Sequence, residues 1–151
     1  MKISNADFDK AKESFVFAKN CFNIAGDALS DKEPKINKAM HYLSMSVRFM
    51  LQIICVKYGI EYEESDEFVL FFKRTRRFLA GDIFAYYILT METELLSWQY
   101  CKTSGIKTTE EAAAVAKKLE TYFNNVIRRF MTETKNALEW PEDDFGGSGI
   151  F

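Results

Sequence analysis

From about Ala6 to Leu29 the apolar positions are Phe8, Ala11, Phe15, Ala18, Phe22, Ala25 and Leu29, in alternating steps of three and four. That is the period of one face of an α-helix and not of a strand. Phe alternates with Ala along this face, so the rings can project into a partner helix while the alanines let its backbone approach. Ser30-Asp31-Lys32-Glu33-Pro34 reads as a turn. Pro34, whose missing N–H is not needed there, is expected at the first position of the next helix. The second helix is predicted from about Lys35 to Tyr58 and stops at Gly59, which tolerates a left-handed helix end. Its apolar residues fall on two lines, Ile36, Met40, Leu43, Val47, Met50 and Ile54 on one, and Tyr42, Phe49, Ile53 and Val56 on the other. So wide an arc predicts a helix packed on more than one side.

The acidic segment Glu61 to Glu67 leads into a third helix over Phe68 to about Ala80, with Ser65 as its expected N-cap. Gly81-Asp82 interrupts the pattern, and Ile83 to about Tyr100 carries Phe84, Tyr87, Ile88, Met91, Leu95 and Trp98 at helical spacing. Thr108 and Glu111 stand three apart before an apolar run, which is a capping-box signature. The final helix places Ala112, Ala116, Leu119, Phe123, Val126 and Phe130 on one face and is expected to run to about Leu138. The fold class expected from this order is all-α, an up-and-down antiparallel helical bundle of four to five helices. Residues 1–138 form its single domain, and residues 139–151, with Pro141, Gly146, Gly147 and Gly149, form a loosely held tail.

Composition narrows the classes further. A chain of 151 residues, 48% of them hydrophobic and with 2 prolines, is long and apolar enough for one globular helical core. A net charge of -2 argues against a surface built throughout for polyanions, so any nucleic-acid contact would have to be local. Cys21, Cys55 and Cys101 are far apart and odd in number, which suggests neither a disulfide framework nor a zinc site. The N-terminus lacks the apolar stretch of a secretory signal, and the longest unbroken apolar run, Ile83 to Leu89, is seven residues. A bilayer span needs roughly 18 or more. The expected location is the cytoplasm.

Catalytic equipment is sparse. One histidine, His41, is too few for a di-iron bundle, and no nucleophile elbow or phosphate-cradling glycine motif is present. The candidate ligand-binding residues lie on the second helix, where His41, Ser44, Arg48 and Gln52, followed by Cys55, form a mostly polar stripe at steps of three and four. Arg48 offers forked donors for a phosphate or carboxylate, Ser44 and Gln52 add hydrogen bonds, and His41 supplies a titratable group. The competing account is that the stripe is the solvent face of its helix. A secondary anionic-ligand patch is Arg74, Arg76 and Arg77 within Lys73-Arg74-Thr75-Arg76-Arg77, with Arg128-Arg129 opposite the last helix's apolar face. Here the plain alternative is a charged outer surface with cations near a helix C-terminus. The 15% aromatic content suits core packing, and surplus apolar surface would suit burial against a second copy.

Several segments taken together resemble a known family. These are the Ala-rich first helix, the segment Lys38-Ala39-Met40-His41-Tyr42-Leu43, a middle helical hairpin, and Thr108-Thr109-Glu110-Glu111-Ala112 opening a last helix with Tyr122-Phe123 near its middle. Over roughly Asp7 to Met131 this order resembles the HEPN family of small prokaryotic helical bundles. The resemblance implies a ribonuclease toxin, a partner of a minimal nucleotidyltransferase, or a non-catalytic member that binds nucleotides or proteins, often as a dimer. The family's nucleases use an Arg followed four to six residues later by His in the helix before the last. The corresponding stretch, Glu92 to Tyr100, holds neither, and His41 has no Arg four to six positions before it. The expectation is therefore a non-catalytic binding or interaction module, without a cofactor, for a nucleotide or a protein partner and as a homodimer. The alternative is a divergent ribonuclease, or a component of a toxin–antitoxin pair, that has moved its base to His41.

Overall fold

The computed structural model describes residues 4–63, 70, 73–75 and 106–134. Every regular element among the described residues is an α-helix, so the fold is all-α. Three long helices carry it: α1 (Asn5–Ser30), α2 (Ile36–Tyr58) and α3 (Thr109–Thr134). Residues 70 and 73–75 are also helical, within the span expected for the third predicted helix. The Ser65 cap, the Gly81 interruption, the Ile83 to Tyr100 helix, Cys101, the end of the last helix past 134 and the 139–151 tail lie outside the described residues.

Local chemistry explains the helix ends. Ser4 caps α1 through its hydroxyl oxygen, which accepts the Asp7 N–H at 3.1 Å, and Asp7 adds negative charge to the first turn. At the far end Asp31 turns extended, and the Lys35 N–H reaches back to the Ala28 carbonyl at 2.9 Å, which closes the connection into a tight antiparallel hairpin. Helix α2 starts one step later than the sequence suggested. Its N-cap is Lys35, whose carbonyl accepts from Ala39 at 3.0 Å, so Pro34 precedes the cap instead of occupying the first helical position. Gly59 ends α2 as expected, with φ at 67°. The Gly59 N–H donates to Val56 at 3.3 Å and the Ile60 N–H to Cys55 at 2.8 Å, the paired bonds of a Schellman end.

The predicted seam of α1 is buried throughout, from Phe8 to Leu29. On the other side of the interface, Ala39, Met40, Leu43, Val47 and Met50 of α2 are buried as well. Burial also extends to Ser46, Leu51 and Cys55, which fits the wide arc read from the sequence. By length and composition α2 is apolar enough to cross a membrane, yet 72% of its apolar window is buried within the fold, as in a core helix. Helix α3 closes the core with Ala112, Ala116, Leu119, Phe123 and Phe130, and its buried face is broader than the pattern implied, taking in Val115, Tyr122 and Ile127. Two ring pairs set its direction: Phe8 meets Phe130 at 6.1 Å and Phe22 meets Phe123 at 6.2 Å. Because the later residue of α1 pairs with the earlier residue of α3, these helices run antiparallel. Each fully buried Phe contributes about 1.5–3 kcal/mol over an exposed one, and such pairing adds about 0.5–1.5 kcal/mol.

Candidate functional site

The α1–α2 hairpin buries one face of α1 and leaves a neighbouring face to form a groove. Lys10, Glu13, Ser14 and Phe17 occupy that neighbouring face at helical spacing. Helix α2 answers with Met45, Arg48, Phe49 and Gln52 at the same spacing, and Tyr62, just past the end of α2, closes the groove. The space enclosed is about 270 Å³. Antiparallel pairing explains the match, since residues at one helix's N-terminal half face the other's C-terminal half.

The groove has a fixed polar wall. Ser14 donates its hydroxyl to Gln52 Oε1 at 3.0 Å, and both residues are 4% exposed. With its oxygen so engaged, the Gln52 carboxamide offers its N–H donors to the groove. Arg48 is half-buried with its Nε withdrawn from solvent, while Lys10 and Glu13 are exposed at the rim. The Lys10 ammonium lies 4.4 Å from the centre of the Tyr62 ring, a cation–π contact that pins the groove's end. At the other end Phe17 and Phe49 meet at 5.3 Å between ring centres, and Phe17 is 42% exposed.

Beyond Lys10 and Tyr62 lies a second hollow of about 330 Å³, and its character differs. Asp7, Glu61 and Glu63 bring carboxylates to it, and the glycine end of α2 forms its floor. Lys10 and Tyr62 belong to both spaces and divide them.

The predicted stripe on α2 is thus split by the fold. Arg48 and Gln52 line the groove together. Ser44 is buried and donates back to the Met40 carbonyl at 2.9 Å, within its own helix. His41 is exposed near the start of α2, with its ring edge-on to Tyr42 at 5.2 Å, and does not line the groove. The stripe is not the helix's solvent face either, because Ser44, Gln52 and Cys55 are buried. In the secondary patch Arg74 donates through Nη1 to the Glu61 carbonyl at 3.2 Å, and Arg76 and Arg77 lie outside the described residues. Arg128 and Arg129 are exposed on α3 as expected.

Reading α2 by itself missed the α1 half of the groove. The signal was present: Lys10, Glu13, Ser14 and Phe17 form a polar-aromatic line beside the Phe/Ala seam. Among the described residues no cluster of three or more His, Cys, Asp or Glu side chains is placed to hold a metal ion. Burial pushes the Cys21 thiol above its ordinary value, so Cys21 is a poor nucleophile at neutral pH. No protein-family model matches the chain, and no match was found among curated proteins or solved structures.

Proposed function

We propose that this chain is a non-catalytic, HEPN-like binding module whose α1–α2 groove holds a nucleotide. The observation that carries this reading is the groove's composition, in which the cations Lys10 and Arg48 and the Gln52 amide line the same space as the Phe17–Phe49 ring pair. A phosphate needs the first set and a base can stack on the second. Charge-assisted hydrogen bonds contribute about 1.5–3 kcal/mol each, and base–aromatic stacking about 1–3 kcal/mol. Calorimetric titration of the whole chain with adenosine and guanosine nucleotides at each phosphorylation level tests the reading. At least one is expected to bind, and Arg48→Ala should weaken it by about tenfold or more. If no nucleotide binds, or Arg48→Ala leaves binding unchanged, the groove is not a nucleotide site.

A homodimer belongs to the same proposal, and Val16, 43% exposed on α1 and outside the groove, offers apolar surface to it. Light scattering should then give twice 17.5 kDa, and a monomer at every accessible concentration would remove it. A nucleotidyltransferase-type protein partner would fit the family resemblance, and co-purification with the product of a neighbouring gene tests it. In the ribonuclease alternative the base is His41, which stands apart from the groove. Incubation with RNA is expected to give no cleavage; cleavage abolished by His41→Ala would favour the alternative.

A further inference from the structure

Building on the nucleotide reading, we propose that Gln52 reads the edge of the base, so that the groove prefers a base offering a carbonyl oxygen there over one offering an amino group. The antiparallel hairpin fixes the order along the groove. Ser14 meets Gln52 across it and Phe17 meets Phe49. The two pairs stand three residues apart on both helices, about 4.5 Å along the axis, so they are neighbours within one helical turn. A base stacked on the ring pair therefore brings an edge to the Gln52 carboxamide.

That carboxamide is held in one sense. Gln52 and Ser14 are both buried, and the Ser14 hydroxyl donates to Gln52 Oε1 at 3.0 Å, which turns the oxygen toward the interface between the two helices. Among the described residues nothing accepts from the Gln52 nitrogen, although Gln52 lines the groove. A glutamine that presents both atoms pairs with adenine through its oxygen and nitrogen together. Here the oxygen is engaged and the donors remain. A bound base covers the nitrogen, and a covered N–H without an acceptor is costly. A keto oxygen accepts from it directly, whereas an amino group in the same place sets donor against donor. Gln52 is thus a specificity determinant for the base, and Ser14, which acts through it, is a positioning residue.

The test is calorimetry on the full chain with inosine against adenosine monophosphate and uridine against cytidine monophosphate. The members of each pair exchange an oxo for an amino group at the base edge and share sugar and phosphate. In each pair that binds, the oxo member is expected to bind on the order of tenfold more tightly. Gln52→Met keeps the length of the side chain without its donors and should bring the two members within about twofold of each other. Ser14→Ala lets the amide turn its oxygen to the groove and should lower the preference by raising the affinity of the amino member. A purely structural role for either residue would weaken both members alike and leave their ratio unchanged. Circular dichroism checks that each variant is folded, and one folded variant is enough. Equal or tighter binding of the amino member, or a ratio unmoved in a folded variant, overturns the reading by Gln52 and leaves the nucleotide groove standing. If none of the four nucleotides binds, the reading by Gln52 falls, and if the adenosine and guanosine series fails with them the groove reading falls too.

Discussion

Gln52 and Ser44 show how differently two polar residues on one helix can be used. Both are buried, and they are eight positions apart in the same predicted stripe. Ser44 satisfies itself on the carbonyl four residues back, whereas Gln52 is held from another helix by Ser14. Replacing Ser14 with Ala leaves the buried Gln52 oxygen without its donor, so urea denaturation should show a loss of about 1–3 kcal/mol. Ser44→Ala removes a local bond that competes with helix geometry and should change stability by less than about 1 kcal/mol, with ligand affinity unaffected. A stability loss from Ser44→Ala matching that of Ser14→Ala would contradict this assignment. Cys21 gives the pH-dependent expectation. Its thiol is raised by burial, so its contribution to stability is intact through neutral pH and is lost as pH climbs from the ordinary thiol range through the raised native value. Its reaction with a disulfide reagent at pH 7 should be slower than that of the same thiol in the urea-unfolded chain.

Helix ends were among the most legible features of the chain. Thr108 caps the last helix as its spacing from Glu111 implied, accepting the Glu111 N–H at Oγ1 at 3.2 Å, while the Glu111 carboxylate takes the Thr108 hydroxyl at 3.1 Å where a full capping box would take the Thr108 N–H. Thr108→Ala should cost about 1 kcal/mol in thermal or urea unfolding. Gly59 was legible for a similar reason, since its left-handed φ suits glycine. A Cβ there meets nothing within 4 Å, so Gly59→Ala should cost about 1–2 kcal/mol from backbone strain alone, and Gly59→Asn less. The start of α2 was less legible. Pro34 is compatible with several positions around a helix start, and the Lys35-to-Ala28 hydrogen bond that fixes the turn joins residues with no distinctive pattern between them.

Across the molecule the three long helices pack on one another: α1 lays its seam on α2 and meets α3 through Phe8 and Phe22, and α2 packs on α3 as well. Phe22 is fully buried and edge-on to Phe123, so Phe22→Ala should destabilise the fold by about 3–5 kcal/mol in urea unfolding, far more than a change at exposed Phe17. Periodicity by itself set the all-α class, the extent of α1 and the apolar seams at the centre of the core, because a helix repeats its own geometry and marks its buried face at steps of three and four. It could also name Arg48 and Gln52, whose polar character breaks an apolar arc. The partner of that line could not be named in the same way. Which turn of α1 stands opposite Gln52 depends on the hairpin's length and on how the two surfaces interlock, and neither is encoded at any single position. That packing brought Lys10, Ser14 and Phe17 into the groove, set Tyr62 and Lys10 between a cationic and an acidic hollow, and left His41 outside both.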